Sequence, residues 1–340
     1  MSKLLTFVVP SYNSEDYLHI CVDSLLKGGE DVEILIVNDG STDRTAEIAA
    51  DYAERFPTIV RVLTQENGGH GEGINHGLRE ATGKYFKVVD SDDWVGEKAL
   101  KSVIARLKAA EKHGGIDLMV TNYVYYTQGK GVTRTIRYKN AFPEKVTCGW
   151  DDVKRFRPWQ YMTMHSNLYR TEILRECGVL LPKHTFYEDN LFAYYPMPYV
   201  KKIVYLNEDF YYYLIGRANQ SVAEDSLKKR CSHQILVSKE IFKAYNIDEI
   251  AKNQPKLARY LYHEVTFMMA LATIFTRLNR TAEAEQMVED MWKECARHNE
   301  PMATKVRRWS IAAFVNLPGA VGRDLGILGY RFSHLIVPFN

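Results

Sequence analysis

The sequence predicts an α/β protein: a mostly parallel sheet covered by helices on both faces, followed by a mainly helical C-terminal region. Three observations predict it. Short apolar runs alternate with helix-period segments through residues 4–123. Four of those runs end in polar clusters rich in Gly, Asn and Asp. From about Ser226 onward the pattern is helical, punctuated by Asn, Pro and Gly. Consecutive strands separated by single helices must run parallel, and a parallel sheet is buried on both sides.

The elements follow in order. Runs 4–9, 32–37, 60–64, 85–89 and 118–123 read as buried strands, and 15–26, 45–55, 72–81 and 97–112 as the intervening helices. Residues 125–138 read as a hairpin around Gly129 and Gly131, and 150–156 and 171–177 as helical. The expected division is 1–221, with a nucleotide-binding half at 1–123 and an acceptor-side half at 124–221, then a helical region at 222–340. The longest apolar helical stretch, 265–275, is about half of what a membrane span needs and reads as a buried helix. The first apolar run, 4–9, is cut short by Pro10, so no secretory leader is expected.

The formal net charge of +2 gives no reason to expect a nucleic-acid partner. Five widely spaced cysteines without a C-x-x-C pair disfavour a disulfide framework or a zinc site and fit free cytosolic thiols.

In a parallel sheet ligands bind beyond the carboxyl ends of the strands, so the residues there matter most. The first strand ends in Pro10-Ser11-Tyr12-Asn13, where Pro10 is expected to stop the ladder, Tyr12 could stack on a base, and Asn13 or Ser14 could instead cap a helix. The second ends in Asn38-Asp39-Gly40-Ser41. A carboxylate at Asp39 can accept the N3–H of uracil, while Ser41 or Asp43 could cap the following helix. The third leads into Asn67-Gly68-Gly69-His70-Gly71-Glu72-Gly73, dense enough in glycine to let a backbone approach a ligand. Ile74 and His76 stand where a dinucleotide fingerprint needs glycine, and Gly83-Lys84-Tyr85 lacks the earlier glycine and the hydroxyl of a P-loop. The fourth ends in Asp90-Ser91-Asp92-Asp93. Three carboxylates crowded at a strand end repel unless a cation neutralises them, and oxygen-only ligands suit Mn²⁺ or Mg²⁺.

In this order, the four strand-end motifs resemble those of the family 2 glycosyltransferases with the GT-A (Rossmann-like) fold. The likeness is strong over about 4–93, weaker through Asn167-Leu168-Tyr169-Arg170 and Phe186-Tyr187-Glu188-Asp189-Asn190, and fades after about Ser221. The resemblance implies a donor site of Pro10, Tyr12, Asn13, Asp39, Asn67, Gly69, Asn75, Asp90, Ser91 and Arg217. Tyr12 and Asp39 would hold uracil and Asp90 the ribose. Asp92, with Asp93 as the alternative, would hold a Mn²⁺ or Mg²⁺ ion bridging the diphosphate. Of the acidic pair Glu188-Asp189, Asp189 would be the general base; a charge at a helix N-terminus is the other reading. Arg217 departs from the family pattern, which places an Arg closer behind the tyrosines. His165 and His184 read as structural histidines or as extra ligands or acceptor contacts.

The implied activity is transfer of a sugar, with inversion, from a UDP-sugar or other nucleotide-diphosphate sugar to a hydroxyl of a saccharide or lipid-linked acceptor in bacterial surface polysaccharide or glycolipid synthesis. A silent nucleotide-sugar-binding subunit and a sugar-phosphate nucleotidylyltransferase are the competing readings. The intact acidic set counts against the first, and the absence of a Gly-rich basic loop after the first strand counts against the second. From Pro301 onward, five basic residues and one acidic residue are interspersed with apolar ones. That composition suits peripheral contact with an anionic membrane from the cytoplasmic side; a packed helical subdomain or a homodimer contact are the alternatives.

Overall fold

The computed structural model describes residues 3–216, 224–310 and 312–336. They fall into two compact units, Met1–Arg155 with Met162–Arg217, and Phe156–Tyr161 with Ala218–Asn340.

In the first unit, β1 (Leu5–Ser11), α1 (Leu18–Leu26), β2 (Val32–Asp39), α2 (Thr45–Arg55), β3 (Val60–Gln65), α3 (His70–Glu80) and β4 (Tyr85–Val88) form the alternating half. A short β5 (Trp94–Val95) and α4 (Glu97–Glu111) lead into β6 (Leu118–Thr127) and β7 (Gly131–Ile136). Then come β8 (Thr147–Cys148), β9 (Asn167–Arg170), α5 (Thr171–Glu176), α6 (Asp189–Tyr194) and β10 (Ile203–Ile215). The sheet order is β3-β2-β1-β4-β9-β6-β10-β5, with β7 on β6 and β8 on β10. Pairings β1–β2, β2–β3, β1–β4 and β6–β10 are parallel. β9 runs against both its neighbours, so the sheet is mixed. β1 and β2 are buried along their whole length, as continuous apolar runs between two helical layers should be.

Three expectations change. β1 runs on past Pro10, which pairs with Val37. Val8 accepts from Val89 N–H, which puts Val8 and, two residues on, Pro10 on the β4 side, and β4 ends at Val88. The missing N–H therefore falls where the ladder has already stopped. Residues 150–156 form only a single 3₁₀ turn at Trp150–Asp152. Its two buried anchors, Trp150 and Val153, are three apart, and Pro158 follows closely. β10 occupies a stretch to which the sequence assigned no element; its register slips between Leu206 and Tyr211, around Asp209.

The second unit is helical: α7 (Glu224–Lys229), α8 (Cys231–Lys243), α9 (Ile247–Asn253), α10 (Pro255–Arg277), α11 (Ala282–His298), α12 (Glu300–Trp309), α13 (Ala312–Val315) and α14 (Gly319–Ile336). α10, which contains 265–275, is buried over most of its length. Asn246, Thr281 and Asn299 cap α9, α11 and α12 with side-chain oxygens on backbone N–H groups. The segment Phe156–Tyr161 joins this unit through Phe156 on Tyr260 (4.9 Å), Tyr161 on Phe267 (4.8 Å) and the His263 ring on the Gln160 carbonyl oxygen (2.8 Å). No helix among the described residues is long and apolar enough to cross a membrane.

Candidate functional site

β1 has β2 on one side and β4 on the other, so the chain winds both ways from it and the loops after these strands part to leave a crevice. Those loops are laced together. Asn13, in the left-handed region (φ 49°), accepts from Thr42 N–H at 2.8 Å and its own N–H donates to Ser41 Oγ at 3.1 Å. The hydroxyls of Ser14 and Ser91 meet at 2.7 Å, tying the β1 loop to the acidic loop after β4. Tyr12 stands 53% exposed beyond the end of β1.

Asp39, buried at the end of β2, organises the glycine-rich segment. Its Oδ1 accepts from Gln65 Nε2 (2.7 Å) and Gly68 N–H (2.8 Å), and its Oδ2 from Gly69 N–H (2.8 Å). Asn67 donates from Nδ2 to the Asp39 carbonyl oxygen. The glycines answer to protein neighbours rather than to an open ligand face. A side-chain carbon on Gly77 would lie inside 3.0 Å of Val8 Cγ1, and one on Gly71 would lie 2.9 Å from Glu188 Cγ. Their absence lets α3 press on β1 and on the segment before α6. Asn75 is likewise absorbed: it grips the Leu181 backbone, accepting from its N–H and donating to its C=O, both at 2.9 Å.

The acidic loop is split by burial. Asp93 is fully buried; Oδ2 accepts from Tyr211 O–H at 2.6 Å and Oδ1 from Leu214 N–H at 2.8 Å, so it clamps the loop to β10. Burial, then the charge of Asp90, raises its pKa well above the carboxylate range. The Tyr211 hydroxyl also accepts from Asp90 N–H. His165 is packed against the rings of Tyr123, Tyr211 and Tyr213, its Nε2 3.9 Å from Asp90 Oδ2; burial lowers its pKa to about 4, so it is neutral. Beneath it, buried Lys87 donates to the carbonyl oxygens of Met164, His165 and Asn167, and burial lowers its pKa to about 7.

His70 spans the crevice. Its Nε2 meets Asp90 Oδ1 at 2.9 Å and its Nδ1 meets Glu188 Oε1 at 2.8 Å. Burial works against charge on the ring, but the two carboxylates outweigh it and hold the pKa well above the histidine range, so an imidazolium donates to both. Asp189, the first residue of α6, is half-buried beside Glu188. Burial, then the neighbouring Glu188 charge, pushes its pKa up to about 7. Tyr169 of β9 fastens α6 by donating to the Ala193 carbonyl oxygen.

The expected residues Asp39, Asn67, Gly69, Asp90, Ser91, Asp93, Glu188 and Asp189 are thus linked, directly or through His70, Tyr211 and Ser14, around one crevice, while Asn75 faces the Leu181 backbone. Exposed His184 stays at the rim, where its N–H donates to the Gly68 carbonyl oxygen. Arg217 lies outside the described residues. His70, Tyr211 and Lys87 were not anticipated. His70 had one visible signal, an imidazole framed by glycines.

The family model described as "Glycosyl transferase family 2" matches residues 6–178. The chain belongs to that family. A "Glycosyltransferase GlyA" of Streptococcus pneumoniae is 28% identical over 64% of this chain and 31% of its own length. The poly(ribitol-phosphate) beta-N-acetylglucosaminyltransferase TarS of Staphylococcus aureus is 27% identical over 76% of this chain and 44% of its own. The chain therefore spans under half the length of these two curated relatives. Among solved structures, S. aureus TarS 1–349 in complex with UDP-GlcNAc superposes with a TM-score of 0.67 at 22% identity, over 98% of this chain and 92% of that one. A Pyrobaculum calidifontis mannosyltransferase in complex with GDP-Man and Mn²⁺ gives 0.53 at 13% identity, over 99% and 87%. With these neighbours the chain shares a GT-A-like fold: a helix-flanked mixed sheet followed by helices.

For a family 2 chain the donor chemistry of the acidic loop fits a divalent cation. Ligand atoms of Asp90, Asp93 and His165 lie within 4.8 Å of one another, and half-buried Asp92 belongs to the same loop. Oxygen donors dominate, as hard cations require. Asp93 could take part only while sharing its carboxylate with Tyr211 and Leu214.

Proposed function

We propose that this chain is a metal-dependent, inverting glycosyltransferase that moves a sugar from a UDP-sugar to a hydroxyl of a saccharide or lipid-linked acceptor. The observation that carries the reading is the His70 bridge from Asp90, after β4, to Glu188, beside which Asp189 opens α6 with its pKa pushed up to about 7 by burial. A base poised near neutrality takes a hydroxyl proton efficiently. In the proposed reaction Asp189 accepts the acceptor's proton as the acceptor oxygen bonds to the anomeric carbon. The bond from that carbon to the diphosphate oxygen breaks, and UDP leaves with its electron pair. Asp92, which shares the acidic loop with Asp90 and Asp93, would hold a Mn²⁺ or Mg²⁺ ion, and the charge of that ion would support the departing diphosphate. Asp39 retains one lone pair on Oδ2 for a base edge, and Tyr12 offers its exposed ring for stacking.

The test is thermal unfolding of the protein against a panel of nucleotides and nucleotide sugars, with Mn²⁺ or with EDTA. A ligand at about 100 times its dissociation constant adds about 2.7 kcal/mol of stability. A shift with UDP or one UDP-sugar that disappears in EDTA supports the reading; no shift with any nucleotide refutes it.

The second unit carries an exposed apolar stripe of its own. Val321, Leu325, Leu328 and Phe332 recur at i, i+4, i+7 and i+11 on α14 and are all exposed, while Ile327 is buried. Trp309 (81% exposed) and Phe314 are exposed apolar residues of the same unit, and Lys305 and Arg308 stand exposed close to Trp309 in sequence. An apolar stripe with cationic neighbours matches an anionic lipid surface at the cytoplasmic face, where a lipid-linked acceptor resides. The protein should co-sediment with vesicles containing anionic lipid, and Leu328→Asp should release it. A dimer that forms without vesicle binding would assign the stripe to a second copy instead.

A further inference from the structure

We propose that His70 is a positioning residue with two separable duties: through Nε2 it fixes Asp90 for the donor, and through Nδ1 it fixes Glu188 and thereby sets Asp189 for the acceptor. The inference rests on the donor-site reading above. Three features carry it.

First, the imidazole joins carboxylates of separate elements, one at the end of β4 and one at the start of α6, at 2.9 and 2.8 Å. Secondly, its backbone is wedged. Gly68 and Gly69 N–H are taken by Asp39, a side-chain carbon on Gly69 would lie 2.9 Å from His184 N, and one on Gly71 would lie 2.9 Å from Glu188 Cγ. A ring rooted there has little freedom to swing away. Thirdly, the Glu188 side chain is only 4% exposed, whereas His70 is 35% and Asp90 23% exposed. Glu188 is thus poorly placed to touch an acceptor; its carboxylate serves to anchor the turn that presents Asp189. Tyr187, just before it, is held in the left-handed region (φ 69°), so this turn needs such an anchor.

The two nitrogens can be tested apart. In an Asn side chain the amide nitrogen sits as far from the backbone as Nδ1, and in Gln as far as Nε2. His70→Asn therefore keeps the Glu188 bond and loses the Asp90 bond; His70→Gln does the reverse. Steady-state kinetics with varied donor, calorimetric donor binding and thermal unfolding are measured on the full chain with Mn²⁺. A lost hydrogen bond to a charged group corresponds to about 10- to 100-fold. His70→Asn should raise donor KM and Kd by at least about tenfold and leave kcat within about threefold. His70→Gln should leave donor KM and Kd and lower kcat by at least about tenfold. Equal losses of binding and turnover in both variants, or wild-type behaviour in both, overturn the inference and leave the donor-site reading standing. A wild-type chain that neither binds nor transfers from any donor of the panel overturns both.

Discussion

Replacing Asp189 by Asn should push stability and activity in opposite directions. Its carboxyl is raised from the ordinary 3.8 to about 7, by burial first and the Glu188 charge second. Such a group binds its proton more tightly in the folded chain than in the unfolded one. Folding stability is therefore lost as pH climbs from about 4 to about 7, and the loss then stays constant. At about 1.4 kcal/mol per pH unit, the penalty above pH 7 approaches about 4 kcal/mol as a ceiling, reduced by the solvent that reaches this half-buried side chain. Asparagine keeps the shape and never carries the charge. Asp189→Asn should thus unfold with nearly the wild-type midpoint at pH 4 and a clearly higher one at pH 8. Its kcat should fall by about 10²- to 10⁴-fold with donor affinity retained. Wild-type kcat should rise about tenfold per pH unit up to about pH 7 and then level off, and the residual activity of the variant should lack that step. The assays are thermal unfolding across pH 4–8 and release of UDP. A variant that turns over within tenfold of wild type, or gains no stability between those pH values, refutes the assignment of the base.

Three further outcomes follow from the packing. Asp92→Asn should weaken donor binding and turnover together, and EDTA should do the same to the wild type, both read by UDP release. Gly77→Ala forces a methyl against Val8 and should cost about 1–3 kcal/mol in denaturant unfolding while leaving kcat per folded molecule unchanged. Lys87→Met removes the donor shared by three carbonyl oxygens beneath His165 and should lower the melting midpoint by the equivalent of about 1–3 kcal/mol or more; an unchanged midpoint would show that this lysine supports nothing.

The first half of the sheet was legible because β1, β2 and β4 are short, mostly apolar runs and α1 to α4 carry a clear helical period. β10 was not, because Asn207, Glu208 and Asp209 break its apolar run where the register slips, and its tyrosines read as readily as loop residues. β9 is four residues long, two of them Asn and Arg, too short for any periodicity. In the site, Asp39 and the acidic loop were found because strand ends can be located from sequence. What could not be found was each group's partner. Asp93 looks like its neighbours until Tyr211, 118 residues on, takes one of its oxygens. His70 acquires meaning only when α6 brings Glu188 to it, also 118 residues on. The glycines suggested a ligand because their density was visible, whereas Val8, Pro10 and Leu181, which fill the space above them, were not visibly adjacent.

The place of β10 fixes an order of assembly. β1 to β4 come from one continuous stretch ending at Val88, and their pairings close over short crossovers. β6 gains its parallel neighbour only when Ile203–Ile215 arrives, and contacts so distant in sequence are slow to form. Both bonds that seat Asp93 reach into that last strand, across 118 and 121 residues. During refolding the half formed by β1 to β4 should therefore gain protection from hydrogen exchange first, its acidic loop still unclamped, so that the crevice takes its final shape with the closing of the sheet and not before.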